Sequence, residues 1–330
     1  MVGMQTDDTL ILGSKEFIKR EDLELKRAKL LAKPAEKLAP DKPLLFNGGI
    51  LSVDGDDLLL TQKGQGKRLE LIDTKSDNAQ QTYLEQRARG AYIGSICQPE
   101  AAFDCSAAAQ HQNPGPEQIK ELNKRLKWQM DNMERGLRFV PLDLTTAKLF
   151  VFVDGSFANN ADLSSQIGYV VTIGNEEPSD GSFQLRGNIV TWSSTKCKRV
   201  TRAVLASELY AMASGIDMAI ALSTTLRMVT KQLGIPPIPI VVCTDSLSLY
   251  ECLIKLGTTK EKRLMIDIMA IRQSYERREL SEIRWISGTS NPADAMTKST
   301  ANASLEALVS TNKLTIRVQG WVQRGENHLE

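Results

Sequence analysis

Four carboxylates are placed so that a fold could gather them: Asp154, Glu208, Asp245 and Asp294. Asp154 follows the unbroken apolar run Leu149–Val153, and Asp245 follows Ile240–Thr244. Runs of this kind, rich in Val, Ile and Phe, mark strands buried on both faces. An acid at the carboxyl edge of each lies where open α/β sheets keep their sites. Glu208 flanks the helical stripe Leu205, Leu209, Met212, Ile216 and Ala219, three residues after its first member. Asp294 sits in Asn291–Pro292–Ala293–Asp294; with Asn291 as cap and Pro292 at the first helical position, it falls in a first turn that favours negative charge. Taken singly, these are a turn residue, a rim glutamate, a helix cap and a dipole partner. Taken together, with no Lys, Arg or His in the set, they repel unless divalent cations fill the gap. Hard oxygen ligands select Mg²⁺ or Mn²⁺, and two such ions ~4 Å apart suit phosphodiester hydrolysis by water.

The rest of the composition narrows the classes. With 330 residues, 42% hydrophobic and 25% charged, the chain can form two or three ordinary globular modules. A net charge of +1 argues against a basic nucleic-acid coat but leaves room for a local basic face, for which Lys196, Lys198, Arg199 and Arg202 are the candidates. His111 and His328 are the only histidines, which argues against a zinc site and a His-dependent triad. Five cysteines with no C-x-x-C pair fit a reduced, intracellular protein. No uninterrupted apolar run reaches the ~20 residues of a membrane span, and no signal-peptide pattern follows Met1. The opening is abrupt, as though an upstream portion were missing.

Elements able to position the carboxylates follow from periodicity. Residues 1–14 read as a hairpin with Asp7–Asp8 at its turn, and 15–33 as a charged helix stopped by Pro34. Strands at 46–53 and 57–62 pair about Asp54–Gly55–Asp56. Helices are expected at 78–97, at 101–112 and from Pro116, the last carrying Ile119, Leu122, Leu126, Met130 and Met133 at helical spacing. From Lys148 onward the order is a three-strand meander turning at Gly155–Ser156, a helix over 204–222, a strand at 238–244, helices over 246–256 and 261–277, a strand at 281–286 and a helix near Asn291. Such an order implies a mixed sheet covered by helices.

Residues 148–298 resemble the ribonuclease H domain of copia-type retrotransposon polyproteins. The resemblance rests on the strand with Asp154, Ile189–Ser194, Ser207–Glu208–Leu209–Tyr210, the strand with Asp245, and Asn291–Lys298. Gln5–Ile11 is similar to the Y-x-D-D hairpin of a reverse transcriptase palm, with Gln5 in place of tyrosine. Phe46–Asn47–Gly48, Leu60–Thr61–Gln62, Arg89–Tyr92 and Pro99–Asp104 resemble the thumb and connecting region.

The resemblance implies a truncated palm end at 1–44, a thumb or connection region at 45–147 and a ribonuclease H-like α/β domain at 148–330. It implies a hydrolase that cuts the RNA strand of RNA–DNA hybrids with two Mg²⁺ ions, Asp154 bridging both, Glu208 and Asp245 holding one and Asp294 the other. The basic residues 196–202 would track phosphates of the hybrid. Asp7 and Asp8 would be a polymerase remnant, since the strand carrying the palm's other aspartate would lie upstream. The histidine that many ribonucleases H place before the last aspartate is replaced by Ser287–Ser290. Two alternatives remain: a catalytically inactive retroelement relic, and a DNA-directed nuclease of the same superfamily.

Overall fold

The computed structural model describes residues 1–6, 8–254, 259 and 261–323. The chain opens with a hairpin of β1 (Val2–Gln5) and β2 (Asp8–Ile11), in which Gln5 lies opposite Asp8. Asp8 therefore begins the returning strand rather than forming the turn, and Asp7 lies outside the described residues. Helix α1 (Lys15–Arg27) starts at Ser14, whose hydroxyl accepts from the Phe17 N–H at 3.2 Å. It stops short of the expected Lys33 because Lys29 takes a left-handed φ of 55°.

A second, antiparallel sheet contains β3 (Leu44–Phe46), β4 (Gly49–Asp54) and β5 (Asp57–Gln62). Helices α2 (Ala79–Ile96), α3 (Ala102–Ala108) and α4 (Pro116–Asp131) follow, and β6 (Leu137–Phe139) returns to pair with β5. The helices share a core of Tyr83, Ile93, Ile119, Leu122 and Leu126. The first three members of the stripe read from the sequence thus form the buried face of α4, Met130 packs against them, and Met133 lies beyond the helix end.

The site-bearing part begins with β7 (Lys148–Ser156), β8 (Gln166–Ser179) and β9 (Ser182–Lys196), an antiparallel meander. Helix α5 (Val204–Leu233) leads to β10 (Ile240–Thr244), which lies parallel to β7. Helices α6 (Leu247–Ile254) and α7 (Met265–Glu276) precede β11 (Glu282–Ile286), parallel to β10. The expected end of the sixth helix, Leu256, lies outside the described residues. The order β9–β8–β7–β10–β11 is the mixed, helix-flanked sheet implied by the ribonuclease H resemblance. The run 149–153 explains itself here. Leu149, Val151 and Val153 face the core under α5, α6 and α7, while Phe150 and Phe152 face the opposite core. A strand covered on both sides has no polar alternate.

Three features differ from expectation. First, β7 does not turn at Gly155 but continues through Ser156, opposite Gln166. Second, α5 runs on to Leu233 and ends at Gly234 with a left-handed φ of 67°. By length and composition α5 could cross a membrane, yet half of its most apolar window is buried in this fold. Third, a 3-10 turn (Pro292–Met296) is followed by α8 (Ala303–Thr311) and β12 (Lys313–Gln323). The first half of β12 pairs with β9 and the second with β11, closing the sheet into a six-stranded barrel. The alternation of Leu314, Ile316 and Val318 with Lys313, Thr315 and Arg317 is the period of that strand.

At the amino end of β7 the barrel holds a buried ion network. Lys148 pairs with Glu176 and Glu282, and Arg284 pairs with Glu176 at 2.6 Å and with Glu282 at 2.5 Å. Trp321 Nε1 donates to Glu282 at 2.8 Å. Burial works to raise the Glu176 carboxyl, but hydrogen bonds from Arg284 and Lys148 prevail and hold it below its usual value. Removing one partner of such a network strands its counter-charge. Arg284→Met is therefore expected to lower the urea-unfolding free energy by about 3–5 kcal/mol. Adding Glu176→Gln to that variant, which leaves Lys148 matched by Glu282, should recover a large part of the loss.

Candidate metal centre

Asp154 and Asp245 are neighbours because β7 and β10 run parallel in a register that sets Val153 against Thr244. Asp294 reaches the same place from the 3-10 turn. Asn291 holds that turn: its Oδ1 accepts from the Ala293 N–H at 3.1 Å, and its Nδ2 donates to the Val153 carbonyl at 3.0 Å. The turn is thus pinned to β7 one residue before Asp154. Carboxylate oxygens of Asp154, Asp245 and Asp294 all lie within 4.8 Å of one another.

Glu208 stands beside this triplet rather than within it. It comes from the start of α5, whose backbone rests directly on Gly155. A Cβ at position 155 would lie 2.4 Å from the Ser207 carbonyl carbon and 2.6 Å from the Glu208 nitrogen. Glycine at 155 serves this close approach rather than a turn. Ser207 Oγ donates to the Gly155 carbonyl at 3.1 Å and ties the helix to the strand. Glu208 is consequently 7% exposed, not the solvated rim residue its sequence position permits.

Burial, followed by the charges of Asp154 and Asp245, pushes the Glu208 carboxyl up to about 9. Burial and then Asp154 push Asp294 up to about 7, and the same two causes raise Asp245. One cation does enter the group, contrary to the expectation of none. Lys298 Nζ lies 3.0 Å from Asp294 and 3.8 Å from Asp154. Burial works against its ammonium, but Asp154 and Asp294 outweigh it and its pKa is raised. Thr297 Oγ1 donates to Asp154 Oδ2.

These residues fit a hard divalent cation. Glu208 Oε2 and Asp294 Oδ1 are buried oxygens without a hydrogen-bond partner, and a buried, unsatisfied carboxylate oxygen is costly unless a cation or proton meets it. The all-oxygen donor set suits Mg²⁺ or Mn²⁺ rather than zinc.

The structure sorts the basic candidates into two pairs. Lys196 is bound to Asp162, and Arg199 to Asp267 at 3.0 Å while lying over the Tyr210 ring. Lys198 and Arg202 are exposed, with no ion pair among the described residues. Asp8 belongs to the hairpin next to β3 and takes no part in the triplet. Thr297 and Lys298 are neighbours of the carboxylates whose roles the sequence left unread, and Asn291, read there as the cap, also ties the turn to β7. The four-residue spacing of Asp294 and Lys298 was the available signal for an ion pair, whereas nothing local marks the Thr297 contact across 143 residues.

No protein-family model and no curated protein matches the sequence. Among solved structures the chain is similar to ribonuclease H1 from the halophilic archaeon Halobacterium salinarum, at 18% identity and a TM-score of 0.31, over 48% of this chain and 98% of that one. LC11 ribonuclease H1, solved with an RNA/DNA hybrid, gives 18% identity and a TM-score of 0.33, over 48% of this chain and 99% of that one. Prototype foamy virus protease–reverse transcriptase gives 12% identity and a TM-score of 0.24, over 82% of this chain and 39% of that one.

The raised carboxyls set a pH dependence. In the folded protein Glu208 and Asp294 hold protons that the unfolded chain releases at ordinary carboxylate pH. Their contribution to stability is full at low pH and is lost as pH rises through about 7 and then about 9. Urea unfolding in EDTA should show Glu208→Gln gaining on wild type steadily between pH 5 and pH 9. Saturating Mg²⁺ should shrink that gain. A pH-independent difference between the two proteins would contradict the assignment.

Proposed function

We propose that the chain is a metal-dependent nuclease that hydrolyses the RNA strand of RNA–DNA hybrids, as part of a copia-type retrotransposon reverse transcriptase. In this reading 1–44 is the end of a palm, 45–147 a thumb and connection, and 148–330 the ribonuclease H domain. The observation that carries it is a contrast of charge within one barrel. At the amino end of β7, Glu176 and Glu282 are matched by Lys148 and Arg284. At its carboxyl end, Asp154, Glu208, Asp245 and Asp294 face Lys298 alone among the described basic residues. A fold that neutralises one buried cluster and leaves the other short of positive charge has kept the second for ligands.

Asp154, Asp245 and Asp294 would hold Mg²⁺ or Mn²⁺, with Glu208 completing the set for two ions. When bound, the cations ready a water for attack on phosphorus and stabilise the departing oxygen. The chain supplies placement: Asn291 and Thr297 hold the Asp294 turn and the Asp154 carboxylate, and α5 carries Glu208 to the strand end. Lys198 and Arg202 would take phosphates of the hybrid, while the choice of RNA would rest on 2′-hydroxyls and duplex shape. The relic reading has one observation in its favour, since the Lys298 ammonium already partly neutralises Asp154 and Asp294.

Matched RNA–DNA, RNA–RNA and DNA–DNA duplexes incubated with the full chain and Mg²⁺ separate the readings. Cleavage confined to the RNA strand of the hybrid is expected. Cleavage of DNA–DNA instead would point to the DNA-directed alternative, and no cleavage to the relic. Asp154→Asn should abolish cleavage, keep or slightly raise metal-free stability, and lose most of the Mg²⁺-induced rise in melting temperature. Equal Mg²⁺ shifts in the two proteins would refute the metal site.

Joint replacement of Lys198 and Arg202 by Ala should weaken hybrid binding and flatten its dependence on log salt concentration by about 1–2 units, with kcat unchanged. Fluorescence anisotropy across a salt series provides the check.

A further inference from the structure

Gln166, the first residue of β8, is fully buried and its side-chain amide is completely used. Nε2 donates to Ser106 Oγ in α3 at 2.9 Å and to Ser194 Oγ in β9 at 2.9 Å. Oε1 accepts from Gln110 Nε2 at 3.2 Å and from Asn160 Nδ2 at 3.4 Å. Ser106 and Ser194 line a cleft of about 440 Å³ between α2–α3 and β9, and Gln166 spans them. Ser194 Oγ then donates to the Met296 carbonyl at 2.5 Å. Met296 closes the 3-10 turn that carries Asp294, and the next residue, Thr297, donates to Asp154. From the other side Asn159 Nδ2 donates to the Thr297 carbonyl at 2.8 Å.

We propose that this relay, from α3 through Gln166 and Ser194 to the Met296 carbonyl, fixes the turn bearing Asp294, so that the helical region preceding the barrel is a positioning element of the metal centre. A short 3-10 turn has poor internal hydrogen bonds and depends on outside anchors. This one is pressed against β8 so closely that a Cβ on Gly168 would lie 2.2 Å from Met296 Cβ. The relay is neutral throughout, so it acts on geometry and leaves the charge of the cluster unchanged. A satisfied buried network of this kind selects one arrangement among close alternatives. Ser106, Gln110, Gln166 and Ser194 are positioning residues, since none belongs to the carboxylate cluster.

The proposal rests on the metal-site reading for its consequence but not for its first test. Hydrogen–deuterium exchange of the segment 294–298, on the full chain in EDTA, reads the anchoring of the turn with no metal present. Exchange should accelerate in Ser194→Ala and in the double variant Ser106→Ala with Gln110→Ala, and stay near wild type in Ser194→Thr, which keeps the hydroxyl. Mn²⁺ affinity, followed by electron paramagnetic resonance, should weaken about tenfold in the first two, the lower end of what loss of an outer supporting contact costs a metal site. The α3 variant lies outside the barrel and carries the same comparison if Ser194→Ala does not fold. Unchanged exchange in a folded variant overturns the relay. Faster exchange with unchanged Mn²⁺ affinity overturns its link to the metal centre. A wild type that binds no Mn²⁺ overturns the metal reading instead, and the exchange result still decides whether α3 anchors the turn.

Discussion

The cost of withdrawing several carboxylates from water into one place is the constraint around which this protein is built. Asp154, Asp245 and Asp294 converge at the end of two parallel strands, with Glu208 pressed in from α5. Desolvation is the largest cause of the raised Glu208, Asp245 and Asp294 carboxyls, ahead of their mutual charge. The neighbouring groups answer that cost only in part: a hydroxyl from Thr297, an ammonium from Lys298 and a backbone hydrogen bond from Gly155. Burying acids so incompletely compensated is unfavourable to stability. The stability must come from elsewhere, and the two apolar cores on either side of β7 supply it.

The same strand shows how placement along β7 decides what a charge does. Lys148 and Asp154 lie six residues apart, about 20 Å of extended chain. At the first position the carboxylates meet a guanidinium and an ammonium in close contact, and the ring of Trp321 covers the Arg284 guanidinium. That end is sealed by its own counter-charges. At the other end the acids outnumber the cations, and two of their oxygens have no partner. Between the two ends Phe150 and Phe152 stack within the barrel and keep the charged regions apart.

How much of this was legible depended on range. The apolar runs before Asp154 and Asp245 declared buried strands because a strand covered on both faces leaves no polar alternate. The stripe of α5 and the Asn291–Pro292 cap were equally local and equally readable. Gly155 was misread because a glycine after a strand looks the same whether it turns the chain or admits a helix backbone. The partners of Lys196 and Arg199, and the Ser194 contact to Met296, depend on which segments the fold brings together, and no spacing announces them. The length of α5 escaped because beyond Leu222 its residues are mixed and its neighbours few, so no stripe continues. β12 was missed altogether: Leu314, Ile316 and Val318 do alternate with polar residues, but nothing local marks a strand's place between β9 and β11.

That strand has a consequence for how the molecule comes to exist. Lys313 lies opposite Arg186, and Val322 opposite Ile283, so the barrel is sealed by a segment made after every other strand in it. Contacts as far apart in the chain as those of β9 with β12 cost loop-closure entropy before they repay it, and form slowly. During synthesis the meander, α5 and the parallel strands must wait with two open strand edges, the condition in which sheets most readily pair with the wrong neighbour. The β8–β9 hairpin, residues 166–196, pairs locally but leaves the outer edge of β9 open until β12 arrives. The buried ion network reaches its final enclosure only when that last strand brings Trp321 onto Glu282 and Arg284.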